Sequence, residues 1–275
     1  MTETVPVTVG ALDVPGARLH YEVRGSGPLV VLVAAPMDAR SFAPLADLLA
    51  GEYTVLTTDP RGIFRSRVDD RDADATVELR ADDLARLIAH LELGPAAVLG
   101  SSGGAVSALG LAQFHPGAAH TVIAHEPPLD ELVEDRDELR ARTADMIATY
   151  RSGDPKGAFR QFLAIANIEL PDEVFEMMTG GERDPQSVAD EAFQYEHMLL
   201  PTVGFVPDVD ALREGKVRIV VGIGEQSAGQ LCDRTSRALA ARLGIAPTMF
   251  PGDHIGFADD PAAFAARLRA VLAGS

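Results

Sequence analysis

The feature that most constrains this chain is a rhythm that begins at Pro28. Short apolar runs, "PLVVLVAA" (28–35), "YTVLTTD" (53–59), "AAVLGS" (96–101), "TVIAHE" (121–126), "VRIVVGIG" (217–224) and "APTMF" (246–250), alternate with stretches such as "VELRADDLARLIAHLEL" and "LCDRTSRALAARLG". In the latter, apolar residues recur at i, i+3 and i+4, the signature of a helix with one buried face. A strand that is apolar along its length is buried on both faces, and strands joined through helices run parallel. The pattern therefore predicts an α/β architecture, a mostly parallel central sheet with helices on both faces. Ahead of it, "TVGALDV" and "ARLHYEVRG" flank Pro15-Gly16 as a hairpin.

The rhythm fails once. Between Pro127 and about Arg213 no buried strand is legible, and pieces such as "EDRDELRARTADMIATYRSG" read as acidic helix. This predicts a core of residues 1–128 and 213–275 and an inserted helical cap over 129–212. The insertion begins at the carboxyl end of a strand, where ligands bind in such sheets, so the expected role is a lid. Met146, Met177, Met178 and Met198, with Phe159, Phe162, Phe175 and Phe193, lie in it. Those facing the cleft would make an adaptable apolar pocket, suited to a bulky hydrophobic substrate.

Composition narrows the partners. With 275 residues, 47% of them hydrophobic, a large core can form without covalent staples. The single cysteine, Cys232, excludes an internal disulfide and reads as a small apolar residue. Acidic residues outnumber basic ones 41 to 24, a net charge of -17, which argues against nucleic acid or an anionic membrane as partner. "MTETVPVTVG" lacks the basic and apolar regions of a signal peptide. The uncharged stretch Gly94–Phe114 is better explained as strand, glycine-rich turn and helix than as a membrane span. The expectation is a soluble, cytoplasmic protein, with an exposed apolar lid that could support a homodimer.

The chemistry centres on "GSSGG". Gly100-Ser101-Ser102-Gly103-Gly104 is a G-x-S-x-G between an apolar strand and an amphipathic helix. A serine on so sharp a turn needs small residues on both flanks, and its hydroxyl then stands above the sheet. Ser101 fails that test because Leu99 sits where glycine is wanted, so Ser102 is the expected nucleophile. Serine needs a base. Of the histidines, His20 falls in the hairpin, His90 within a helix, His115 and His120 around a helix end, and His197 in the insertion. His254, in the loop "PGDHIGFADDP" after the last strand, comes late in the chain as the order Ser…acid…His requires. The base needs a carboxylate to fix its tautomer, and two acids end strands, Glu126 and Glu225. His125 is a poorer base because alternation turns it away from Glu126.

On these residues the chain resembles the α/β-hydrolases along nearly its whole length, through "GSSGG", "GDHIGF" and the turn "DPRGIFRS". "SSGGA" followed by "HEPP" is similar to a subgroup of small hydrolases that includes the zearalenone lactonases. That resemblance implies Glu126 as the acid, from its H-E-x-P segment, whereas the wider family's acid slot falls at Glu225, in "GIGE". It further implies a serine hydrolase of a hydrophobic carboxylic ester or lactone, working through an acyl-enzyme. The alternative is a non-hydrolytic or C–C bond-cleaving enzyme, or a catalytically silent binding protein, of the same fold. The oxyanion needs backbone N–H groups. Gly103 offers one; the loop "AAPMDARSF" must supply the other, and since Pro36 has no N–H, Ala35 is favoured over Met37. Two departures stand out: this loop lacks the relatives' His-Gly, and Phe64 replaces a glycine of "RGxGxS". No metal site and no cofactor are expected; "GIGEQS" lacks the third glycine of a dinucleotide loop, and no Cys/His cluster has ligand spacing.

Overall fold

The structure, a computed structural model, describes residues 5–181 and 183–274. The hairpin forms as the turn chemistry predicts: β1 (Val7–Val14) and β2 (Ala17–Arg24) pair antiparallel about Gly16, whose φ of 73° suits glycine. β3 (Leu29–Ala35) and β4 (Thr54–Thr58) follow, both buried along their whole length. A two-residue strand not foreseen from sequence, β5 (Arg67–Val68), pairs with β2. β6 (Ala96–Ser102), β7 (Ala119–His125), β8 (Arg218–Gly224) and β9 (Thr248–Phe250) complete the sheet. The strand order is β1-β2-β4-β3-β6-β7-β8-β9, parallel from β4 to β9.

Alternation along β3 shows how the sheet is covered. Leu29, Val31 and Val33 pack on one face with α2 (Val77–His90), α3 (Gly103–Phe114) and α10 (Leu231–Leu243). Val30, Leu32 and Ala34 pack on the other with α1 (Ala43–Leu49), α11 (Gly256–Asp259) and α12 (Pro261–Ala273). The result is the α/β-hydrolase arrangement, a mostly parallel sheet between two helical layers. His90, expected inside a helix, is the last residue of α2, where its Nε2 lies 2.9 Å from the Tyr21 hydroxyl.

Between β7 and β8 the described chain is helical: α4 (Arg136–Arg151), α5 (Pro155–Ala166), α6 (Asp172–Thr179), α7 (Pro185–Phe193), a wide π-type turn (Gln194–Met198), α8 (Leu199–Val203) and α9 (Val209–Glu214). Its own core is small, built on Met146, Ile147, Ala158 and Tyr195, with Tyr150 stacked on Tyr195 at 4.4 Å. Met177 and Met178 are exposed. Docking onto the sheet layer uses the turn after β4. Gly62 has no side chain because a Cβ would lie 2.2 Å from the Phe193 ring. Phe64 adopts φ 49°, in the left-handed region that favours glycine, and its N–H donates to Asp190 Oδ1 of α7 at 3.0 Å. Arg40 covers the Phe64 ring at 3.9 Å. Among the described residues no helix is long and apolar enough to cross a membrane.

Candidate active site

Ser102 ends β6 and caps α3 with φ 56° and ψ −127°, a conformation β-carbon sterics make costly, of order 1–3 kcal/mol. The flanking glycines follow from the turn. A methyl at Gly100 would lie 2.3 Å from the Gly104 carbonyl oxygen, and one at Gly104 would lie 2.3 Å from the Val33 carbonyl oxygen. The strand can turn into the helix this sharply only without those carbons. Ser101, by contrast, is buried in the sheet, its Oγ 3.2 Å from His125 Nδ1.

Register sets the neighbours. Ala35 pairs with Ser102, Ser101 with His125, and His125 with Gly222, so three strand ends lie abreast at the carboxyl edge. The next residue after β7 is Glu126, which turns out of the strand with φ 52° and is fully buried. Its Oε1 accepts from the Gly224 N–H at 2.7 Å, and its Oε2 lies 2.6 Å from His254 Nδ1. Burial raises the Glu126 pKa, but the His254 bond and charge lead the effects that outweigh it, so the group is held below the usual carboxylate value. An ionised carboxylate only accepts, which puts the imidazole proton on Nδ1 and leaves Nε2 free to act as a base.

For His254, burial lowers basicity while Cys232 and Glu126 raise it, and the net shift is upward. Glu225 is exposed, and its backbone N–H donates to the Phe250 carbonyl at 2.9 Å. Of the two acids that the sequence left open, Glu126 is the one beside His254. His125 points to the other side, among Phe250 and Phe264, and burial pushes its pKa down to about 4.

Ala35, Ser102, Gly103 and His254 share the wall of one cavity of about 150 Å³. Met37, half-buried, packs against the core cluster that α1 shares. The helical segment contributes Thr143, Met146, Phe162, Met198 and Leu199, so the lining is mainly apolar. Arg80, buried in α2, braces this corner: it donates to the Thr202 hydroxyl at 2.8 Å and to the Gly103 carbonyl at 3.4 Å. Burial lowers its pKa to about 10, and it remains a cation.

Three site residues escape sequence reasoning. Cys232, read as plain core, lines the cavity beside His254 at the start of α10. Ser227 is buried and lowers the Glu126 pKa, although its Oγ makes no hydrogen bond of good geometry. Asp130, in "PPLDEL", is buried in the cavity wall with an unpartnered Oδ1. The one signal available was position, since Asp130 lies just beyond Glu126 and Cys232 just beyond β8. Among the described residues no group of three or more His, Cys, Asp or Glu could hold a metal ion.

A strained serine after the third parallel strand and a histidine held by a buried carboxylate, both facing one cavity, define a hydrolase-type site on this fold. The model of the alpha/beta hydrolase family matches residues 29–267, and the chain belongs to that family. It is 33% identical over 276 residues to the uncharacterized hydrolase YraK of Bacillus subtilis, covering 96% of this chain and 95% of that protein. The serine hydrolase BPHL of Homo sapiens is 34% identical over 122 residues, 42% of each chain. Among solved structures, a proposed epoxide hydrolase from Pseudomonas aeruginosa has a TM-score of 0.69 at 24% identity, covering 99% of this chain and 98% of that one. The enol-lactonase from Burkholderia xenovorans LB400 has a TM-score of 0.70 at 18% identity, covering 96% and 100%. These structural likenesses speak for the fold. The narrower likeness to zearalenone lactonases rests on "SSGGA" and "HEPP" alone.

Proposed function

We propose that this hydrolase cleaves a carboxylic ester or lactone of a hydrophobic small molecule through a Ser102–His254–Glu126 triad, under a cap formed by residues 129–212. The observation that supports it most is the strained Ser102 sharing a cavity with His254, whose Nδ1 is fixed by Glu126 at 2.6 Å. Ser102 Oγ attacks the acyl carbon as His254 Nε2 takes its proton. The oxyanion accepts from the Gly103 and Ala35 N–H groups. His254 then protonates the departing alkoxide, leaving an acyl-enzyme. Water attacks that ester, gives its proton to His254, and Ser102 recovers it as the acid leaves. A lactone keeps its alkoxide tethered, so the product is one hydroxy acid, heavier than the substrate by one water.

Epoxide opening fits these residues less well. Serine attack on an epoxide would leave an alkyl ether, with no carbonyl for water to attack, and the enzyme would not turn over. The deciding experiment is mass spectrometry of wild type and Ser102→Ala with a fluorophosphonate and a panel of aryl esters and macrolactones. A covalent adduct on wild type only, with hydrolysis of at least one ester or lactone, is expected. Equal labelling or equal hydrolysis by Ser102→Ala would overturn the assignment, and silence with both proteins would favour the non-hydrolytic or binding-protein alternatives.

A further inference from the structure

The cavity wall is mainly apolar, and Asp130 is the one carboxylate among its lining residues. Asp130 is 4% exposed and lines the same wall as Ser102 and His254. It opens the short 3-10 turn Asp130–Leu132 after β7. Its Oδ1 is buried without a partner among the described residues. A buried polar atom left unpaired is costly, and this one faces a cavity large enough for a ligand to complete it. The nearby arginines are already engaged: Arg234 pairs with Asp135, and Arg140 with Glu131 at 2.6 Å. Among the described residues no cation hydrogen-bonds Asp130 Oδ1, and Glu131 and Asp135 add negative potential to it that Arg234 offsets only in part.

These observations fix the chemistry of the missing partner. A ligand anion would be repelled by the acidic cluster. A neutral acceptor would use only a protonated Asp130, and a neutral donor would satisfy Oδ1 but gain nothing from the surrounding charge. A cationic nitrogen satisfies the carboxylate, is drawn by Glu131 and Asp135, and matches a net charge of -17. Burial and those like charges push the Asp130 pKa up to about 7, and an ammonium in the cavity would bring it back down. We propose that Asp130 is the specificity-determining residue of the site and selects substrates that carry a protonated amine on an otherwise apolar body. This rests on the reading of Ser102 as the nucleophile of an ester hydrolase.

The test uses an isosteric pair of esters, 4-(aminomethyl)phenyl acetate and 4-ethylphenyl acetate, at about pH 8, where the benzylic amine is still a cation. Wild type should favour the cationic ester in kcat/KM by about tenfold or more, and Asp130→Asn should bring the ratio down by a similar factor. Dividing one protein's ratio by the other's removes the difference in leaving group. A ratio that Asp130→Asn leaves unchanged overturns the proposal. If wild type hydrolyses neither ester and no fluorophosphonate adduct forms, it is the hydrolase reading that fails. Calorimetry then decides for Asp130 separately: 4-methylbenzylammonium should bind wild type about tenfold more tightly than Asp130→Asn, and equal binding or none overturns the assignment. Should Asp130→Asn not fold, wild type must still bind 4-methylbenzylammonium about tenfold more tightly than 4-ethyltoluene, and a preference for the neutral isostere is the overturning result.

Discussion

The carboxyl edge of the sheet and the helical segment above it hold their side chains by different means. At the edge, backbone does the placing. Ser102 and Glu126 sit at positive φ, Gly100 and Gly104 leave room for carbonyls, and the Gly224 N–H grips Glu126. In the segment, side chains do it, and sparsely: α5 buries only Ala158 and α6 only Phe175. A site of this kind can keep its chemistry while its selectivity drifts, because the reacting groups and the cavity wall depend on different contacts. The largest effect that could break this division is at Glu126. Glu126→Gln should lower kcat by about 10⁴-fold, as loss of the carboxylate beside a catalytic histidine does, while Glu225→Gln stays within about twofold. The pH profile adds a sign. In the proposed mechanism His254 accepts a proton only when neutral, so kcat/KM should rise with pH through a midpoint above the ordinary 6.5. In Glu126→Gln that midpoint should fall, since burial, which remains, lowers the pKa. Equal losses at Glu126 and Glu225 would dissolve the distinction.

Next in size is the turn itself. A methyl at Gly104 meets the Val33 carbonyl at 2.3 Å and the Ala34 Cα at 2.6 Å, both backbone. Gly104→Ala should therefore destabilise by about 1–3 kcal/mol and slow fluorophosphonate labelling of Ser102. Gly181→Ala, in the helical segment, meets no atom within 4 Å although φ is 81°. It should cost less, about 1 kcal/mol from backbone strain, and leave labelling alone. Comparable slowing in both would mean that the edge has no special geometric demand. Urea melts and labelling rates measure the two effects.

What the sequence disclosed follows the same division. Constraints on backbone leave marks in residue type: the glycines around Ser102, the apolar runs of the buried strands, the break into "HEPP" where β7 ends. Constraints on side chains do not. Nothing near Cys232 distinguishes a cavity wall from core packing, and Asp130 looks like any acid in an acidic segment until its neighbours in space are known. Glu126 and Glu225 were equally placed by strand pattern. What separates them is that the chain turns at Glu126 with φ 52° toward the Gly224 N–H, while Glu225 continues into solvent. Phe64 shows the converse. The missing glycine was visible, but not that a phenylalanine would keep the left-handed backbone, covered by Arg40 and tied to α7.

Asp130 also sharpens the comparison through stability, whatever its ligand. Its folded pKa, pushed up to about 7 from 3.8 by burial and then by Glu131 and Asp135, with Arg234 opposing, means the folded state prefers the protonated acid. The contribution is fully present below the unfolded value and is lost as pH rises through about 7. Asp130→Asn removes that loss. The variant should melt close to wild type only below about pH 4, diverge as pH rises towards 7, and be more stable than wild type above about pH 8, by on the order of 2 kcal/mol. Melting curves that fail to diverge with pH would mean the carboxylate is solvated in the folded state.

The smallest effect tests the seam between the two regions. Asp190 of α7 accepts from the Phe64 N–H at 3.0 Å and from Gln186 Nε2 at 2.8 Å, and it does not line the cavity. Asp190→Ala leaves one backbone donor without its partner, at a cost of about 1 kcal/mol, which is roughly 2–4 °C in Tm for a chain of this size. If the helical segment is held mainly by such side-chain ties, limited proteolysis within residues 136–214 should speed up several-fold, while fluorophosphonate labelling of Ser102 keeps its rate. Labelling that slows in step with proteolysis would show that the segment shapes the reacting geometry as well as the cavity wall. Chemistry and selectivity would then be one cooperative unit, with the Phe64 turn as the place where they join.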